Sequence, residues 1–353
     1  MGRLPNRAVT AKHSAVLERL KARTVAAGSF SGVCLPALAQ HYLERLSELF
    51  AVIDRPLGPE EALQFRHSFV NTLKQGFAQS PHARFLLAYR PAESRGVDCA
   101  LSIFVPSLEE QYRDWLTATA GAEPFGKHPD ARVMALAEAL QQAGDSRARV
   151  LDVGAGDGRN ALPLARLGLL VDALEPVSEL SAVLREAAAR EALSTSVLEQ
   201  DLLSEELELP SQRYQLIVLS EVLPHLSVQD LKAVLPRLTR ALAPGGRLLM
   251  NAFVAEKGYT PDALALQAAP SVWSSFLTRS ELAALASDSG ITLVSDEGCV
   301  AYEKARLPLG AWPPTPWYAN WASGHNLFAH SAGHAPIELR WLEYRQASDD
   351  VLR

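Results

Sequence analysis

The sequence predicts an α/β protein, a parallel sheet with helices on both faces, preceded by a smaller α+β extension. Two observations carry this. From Arg149 onward, short apolar runs alternate with helical patterns, the rhythm of βαβ units. These runs are continuously apolar, as strands covered on both faces must be. A third observation places a site on the sheet: a glycine-rich turn ends the first run and leads into a helix.

Residues 1–28 are polar and mixed in charge and read as an N-terminal segment prone to fray. From Leu35 to Ile53, Leu38, Tyr42, Leu46, Leu49, Phe50 and Ile53 recur at helical spacing. Arg55-Pro56-Leu57-Gly58-Pro59 breaks the chain, and Glu60 to Gln79 is a second amphipathic helix. Arg84 to Tyr89 and Val97 to Val105 read as a hairpin. Ser107 and Glu110 form a capping box that starts a helix running to about Ala118. After a loop, Asp130 to Ala143 is helical again. The strands and helices of the second part then follow: Arg149 to Val153, Ala161 to Leu167, Leu170 to Leu174, Ser178 to Ala192, Ser196 to Glu199, Tyr214 to Ser220, Val228 to Leu242 and Arg247 to Ala252. The organisation expected is a 29–128 α+β domain and a 129–353 sheet domain, with an aromatic insertion over 299–337.

The 353 residues suit about two domains, and the net charge of −6 argues against a chain built to grip a nucleic-acid backbone. Three scattered cysteines without a CxxC pair support neither thiolate zinc nor a disulfide framework, and they fit a reducing cytoplasm. No run of eighteen apolar residues predicts a membrane span.

The chemistry concentrates at Asp152-Val153-Gly154-Ala155-Gly156-Asp157-Gly158-Arg159-Asn160. Glycines let backbone turn tightly and approach a ligand without a Cβ clash, and the helix behind them offers free N–H groups. Glu175-Pro176 ends the second strand, 21 residues after Gly154, where a carboxylate can accept both hydroxyls of a ribose. Asp201-Leu202 follows the third strand, where an acid can meet an adenine amino group. A dinucleotide-dependent oxidoreductase shares the turn and the acidic strand end. However, Asp152 and Asp157 would bring the wrong charge toward a pyrophosphate, whereas a sulfonium cation has no such objection.

At these residues the chain resembles the class I S-adenosylmethionine-dependent methyltransferases, over about residues 147–256. Gly158-Arg159-Asn160 followed by Leu164-Ala165 is most similar to the small tellurite-resistance-type branch. The resemblance implies a Rossmann-like seven-stranded sheet ending in an antiparallel hairpin, for which Ile291 to Glu297 and Glu338 to Arg345 suit the last two strands. It implies S-adenosyl-L-methionine as cofactor, held by Asp152, Gly154, Ala155, Gly156, Gly158, Asn160, Glu175, Pro176, Asp201, Leu202, Ser220 and Glu221. Gln215 departs from the family, which often has Asp there.

Glu221 and His225 follow the fourth strand, four residues apart as on one helical face, and are the candidates for a catalytic base. His128, Trp273, Trp312, Trp317, Tyr318 and Trp321 are candidates to wall a substrate pocket. His325, His330 and His334 lack an acid cluster, so no metal is expected. The expected activity is methyl transfer to oxygen or nitrogen of a small molecule. Alternatives are a peptide or protein acceptor docked by the N-terminal domain, a silent cofactor-binding protein, and an NAD-dependent oxidoreductase. The expected setting is cytoplasmic, with no nucleic-acid or membrane partner, and the sequence does not give the oligomeric state.

Overall fold

The computed structural model describes residues 16, 27–53, 56–91, 97–118, 124–144, 148–328 and 334–346. The expected frayed segment therefore lies almost wholly outside the described residues. The chain divides into two compact units, residues 1–106 and 107–353.

In the first unit, β1 (Gly28–Val33), β2 (Arg84–Pro91) and β3 (Val97–Phe104) form an antiparallel sheet in that order. The hairpin expected from sequence gains β1, whose Gly-Ser-rich stretch carries no alternation to announce it. Helices α1 (Ala39–Val52) and α2 (Pro59–Gln79) complete the unit. Pro59 opens α2 with a φ already suited to a helix, and Glu61 accepts a hydrogen bond from the Gly58 N–H at 3.0 Å. Phe50, Phe69, Leu73, Phe85 and Leu87 are buried together, with Phe69 edge-on to Phe85 at 5.0 Å.

The second unit begins with α3 (Leu108–Ala118), entered through reciprocal hydrogen bonds between Ser107 and Glu110. The division thus falls about twenty residues before the expected 128/129 boundary. The reason is the packing of α3: Tyr112 stacks against His225 and Trp273, and Trp115 meets Trp317 edge-on. Next come α4 (Ala131–Gln142), β4 (Arg149–Val153), α5 (Ala161–Arg166), β5 (Leu170–Leu174), α6 (Ser178–Arg190), β6 (Thr195–Leu198) and β7 (Tyr214–Leu219). They are followed by α7 (Val228–Ala241), β8 (Leu242–Ala255), α8 (Ala263–Ser271), β9 (Phe276–Leu277), α9 (Arg279–Asp288), β10 (Ile291–Gly298), α10 (Cys299–Arg306), α11 (Tyr318–Ala322) and β11 (Ile337–Gln346).

The sheet order is β10-β11-β8-β7-β4-β5-β6, with the two-residue β9 paired to β8 as an eighth strand. Strands β6, β5, β4, β7 and β8 run parallel, and β11 is antiparallel to both β8 and β10. Successive residues of β7 face opposite sides: Leu216 and Val218 join one core, Ile217 and Leu219 the other. Both cores are apolar because helices cover both faces, which is why these strands read as unbroken apolar runs. The Pro244-Gly245-Gly246 stretch lies within β8. Its pairing with β7 is irregular there, and Gly245 has φ +75°.

Strand order reverses at β4, whose neighbours are β5 and β7. Chains leaving adjacent strands in opposite directions open a crevice at the carboxyl ends, and the site is found there.

Candidate active site

A cavity of about 410 Å³ lies at the carboxyl ends of β4, β5 and β7. One end is the turn after β4. Gly154 and Gly156 have φ +67° and +57°, the left-handed region that side chains disfavour. A Cβ on Gly154 would approach Val222 Cγ2 to 2.7 Å, so the turn leaves no room for one. Gly158, also left-handed, packs against Leu184 and Leu162 and does not line the cavity. Its role is to bring the turn close to α5 and α6.

Glu175 is buried at the end of β5 and lines the same cavity. Its Oε2 accepts the Gly156 N–H at 2.8 Å and its Oε1 accepts the Val177 N–H at 2.9 Å. Each carboxylate oxygen keeps a second lone-pair site for a ligand hydroxyl. Burial pushes its carboxyl up, and the two backbone N–H groups partly offset this. Asp201 and Leu202 line the cavity beside it, with Asp201 accepting the Leu203 N–H at 2.8 Å. Pro176 is half-buried and is not on the cavity wall. Asp172 is occupied elsewhere, accepting from Arg149, Arg213 and Tyr214. Gln215 accepts the Arg149 N–H at 2.7 Å, tying β7 to the start of β4.

Behind the turn lies a buried polar network. Arg159 donates to Asp130 at 2.8 Å and to Glu221 at 2.6 Å. Asp130 also accepts from Asn160 at 2.9 Å and from Ser220 at 2.6 Å. Asn160 and Ser220 therefore touch the cavity while their polar atoms serve the network. Asp152 is buried, and its Oδ2 has no hydrogen-bond partner. Burial first, then the neighbouring Asp130, push its carboxyl up to about 7, against the pull of Arg159.

Glu221 and His225 do not share a helical face. Glu221 sits at φ +62°, its N–H bonded to Asn251 Oδ1 at 2.6 Å, and Leu223–His225 is a single 3₁₀ turn. With its carboxylate paired to Arg159, Glu221 is a partner in the network and not a free base. His225 lines the cavity, its ring 5.4 Å from Trp273 and 6.3 Å from Tyr112.

The other wall is aromatic. Of the residues expected there, Trp273, Trp317 and Trp321 line the cavity, whereas His128, Trp312 and Tyr318 do not. Tyr318 is buried against Cys299, and Trp312 lies edge-on to Tyr318 at 5.5 Å, so the 299–337 segment is part cavity wall and part core. Trp321 donates to the Trp273 carbonyl at 2.8 Å, and Trp317 to the Pro124 carbonyl at 3.2 Å. Sequence reasoning missed Tyr112, Trp115, Phe125 and Arg159 as wall residues. The signal for the first two was present: they lie three apart on the helix that the Ser107 capping box announces. Burial, then Glu175 and Glu221, push the Tyr112 hydroxyl up, so it stays a neutral donor. His330 lies outside the described residues, and among the described residues no three His, Cys, Asp or Glu side chains cluster as metal ligands. Nor is any described helix long and apolar enough to cross a membrane.

Residues 150–246 match the family model of a methyltransferase domain. Residues 150–246 thus carry a methyltransferase domain, and the sheet they lie in has the Rossmann-like architecture of S-adenosylmethionine-dependent methyltransferases. Among curated proteins, the chain is 28% identical over 167 residues to the ubiquinone biosynthesis O-methyltransferase of Bradyrhizobium sp. (strain ORS 278), covering 43% of this chain and 61% of that protein. It is 32% identical over 154 residues to the protein of the same name from Paramagnetospirillum magneticum, covering 41% and 59%. The chain thus spans about three fifths of the length of these curated relatives. Among solved structures, the magnesium protoporphyrin IX methyltransferase of Synechocystis PCC 6803 is similar at 16% identity and a TM-score of 0.44, covering 69% of this chain and 93% of that one.

The residues present fit the family's cofactor. At Gly156 the turn leaves space that a Cβ would fill, and the buried Asp152 Oδ2 is a carboxyl oxygen without a hydrogen-bond partner. The acids around the cavity suit a ligand carrying a positive sulfonium and an amino group.

Proposed function

We propose that the chain transfers a methyl group from S-adenosyl-L-methionine to a small-molecule acceptor held in the cavity. One observation carries this reading: a single cavity is lined both by the glycine turn and Glu175 and by a set of aromatic side chains. Cofactor and acceptor would therefore meet inside one water-poor space. The O-methyltransferase names of the curated relatives favour an oxygen acceptor.

When bound, the cofactor supplies an electrophilic methyl on a sulfonium sulfur. Glu175 would hold the ribose hydroxyls, Asp201 with Leu202 the adenine, and Asp152 with the turn after β4 the charged end. The aromatic wall excludes water and orients the acceptor. His225, fixed between Tyr112 and Trp273, is the group placed to take the proton that the acceptor loses. Glu221 positions Arg159, whose charge offsets that of Asp130 and Asp152.

Isothermal titration with S-adenosylmethionine, S-adenosylhomocysteine and NAD tests the reading. The first two are expected to bind and NAD is not; binding of NAD alone would overturn it. Glu175→Ala should weaken S-adenosylhomocysteine by about 1.5–3 kcal/mol, the usual worth of hydrogen bonds to a charged group. An unchanged affinity would remove Glu175 from the ribose role.

A further inference from the structure

We propose that Glu303 is a positioning residue for the cofactor site. It caps helix α4 in place of Asp130, and so leaves the Asp130 carboxylate to hold three side chains of the cavity wall. The proposal rests on the methyl-transfer reading above and adds to it a residue that lies outside the cavity wall.

The start of α4 argues first. Asp130 precedes the helix and has the extended backbone of an N-cap, φ −64° and ψ 126°. Aspartate is preferred there because its side chain can accept an N–H that the first turn leaves unpaired. Here the Asp130 side chain makes no such bond. Glu303 makes it instead, from α10, 172 positions along the chain from Ala131. Its Oε2 accepts the Ala131 N–H at 2.7 Å, and its Oε1 accepts the Arg132 N–H at 3.2 Å. The Trp341 indole, on β11, donates to the same Oε1 at 2.9 Å and fixes the carboxylate in place. Glu303 is buried, and a negative charge at a helix N-terminus is favourable.

The partners of Asp130 argue next. Its Oδ1 accepts from Arg159 at 2.8 Å, and its Oδ2 accepts from Asn160 at 2.9 Å and Ser220 at 2.6 Å. Arg159 and Asn160 follow the glycine turn, Ser220 follows β7, and all three line the cavity. One carboxylate thus joins two edges of the site. These three donors and the two helix N–H groups exceed the roughly four acceptor sites of one carboxylate. Leaving either set buried and unpaired is costly. Asp130 can therefore serve the wall only while another group serves the helix.

Removing Glu303 leaves the first N–H groups of α4 to compete for Asp130. Arg159 then keeps Glu221 as its carboxylate partner, and Asn160 and Ser220 lose their shared acceptor. The wall beside the glycine turn loosens as a unit. Helix α10 also opens the segment that brings Trp317 and Trp321 to the cavity, so one buried acid ties that segment to the cofactor side.

The test is a double-mutant cycle read by calorimetric titration of S-adenosylhomocysteine into the full-length protein. Glu303→Ala should weaken binding by about tenfold or more. Glu303→Gln keeps an oxygen at the right reach for the helix N–H groups and should stay within about threefold of wild type. In an Asp130→Asn background, Glu303→Ala should cost less than about a further twofold, because the carboxylate it acts through is already gone. A role confined to packing or stability would weaken both backgrounds by the same factor. Cooperative urea unfolding, followed by tryptophan fluorescence, shows that each variant is folded. Should Glu303→Ala not fold, Glu303→Asp takes its place: its shorter side chain withdraws the carboxylate from the helix, and the same losses are expected in the two backgrounds. Unchanged affinity on removing the cap, equal losses in Glu303→Ala and Glu303→Gln, or an equal factor in the two backgrounds overturns the proposal. If the wild type does not bind S-adenosylhomocysteine at all, the methyl-transfer reading falls, and this proposal with it.

Discussion

Replacing Asp152 by asparagine should flatten the dependence of stability on pH. The Asp152 carboxyl is buried, and its pKa is raised from 3.8 to about 7. Between those values the folded chain keeps a proton that the unfolded chain has released. The resulting stabilisation is complete below the unfolded value and is lost as pH rises through the folded one. The slope is about −1.4 kcal/mol per pH unit for one proton, or about 4 kcal/mol over the whole window. Burial also raises the Glu303 carboxyl to about 7, so the wild type should fall more steeply than one proton requires. The amide of Asp152→Asn mimics the protonated acid, and the difference between the two proteins isolates the one group. Urea denaturation at pH 5, 6, 7 and 8, followed by tryptophan fluorescence, measures it. All six tryptophans lie at residue 115 or later, so the signal reports the second unit. Parallel curves for wild type and variant would refute the argument, because they would mean that Asp152 is ionised in both states.

Gly154→Ala and Gly156→Ala should differ. Both force a left-handed residue, but only the first also drives a Cβ into Val222. Thermal denaturation should show a loss of about 1 kcal/mol for Gly156→Ala and up to about 3 for Gly154→Ala; equal losses would refute the steric argument. Arg159→Met leaves Asp130 and Glu221 buried without their cation, a loss of about 3–5 kcal/mol in chemical denaturation. Adding Glu221→Gln should recover part of it, and no recovery would mean that the pair is not coupled. His225→Gln should lower kcat by roughly 10²–10⁴ in a methyl-transfer assay with S-adenosylmethionine and an acceptor that the wild type methylates, and should abolish the acidic limb of its pH profile. An unchanged kcat and profile would remove His225 from proton transfer.

Much of the fold was legible because it is written locally. The apolar runs of β4, β5 and β7 need no partner to be recognised, since burial on both faces imposes the same residue type at every position. The Gly154–Gly158 turn and Glu175 are local too: the first is demanded by left-handed backbone, the second by its place at a strand end. Strand β1 escaped notice because Gly28-Ser29-Phe30-Ser31-Gly32 gets its order from pairing with β2, which begins only at Arg84.

What the sequence by itself determined is therefore the βαβ rhythm, the glycine turn and the acid that answers it, because near-neighbour sterics and periodic burial decide them. What only the tertiary structure decided is which distant residues share the cavity. Asp130 meets Ser220 across 90 positions, and Arg159 meets Glu221 across 62. Tyr112 reaches Trp273 only because α3 joins the sheet unit. Glu221 and His225, spaced as on a helix, are separated in role because the chain after β7 turns left-handed instead of coiling. These pairings depend on strand order and on the direction in which each chain leaves the sheet. Neither is a property of any short stretch of sequence, because each arises from how the strands are packed side by side.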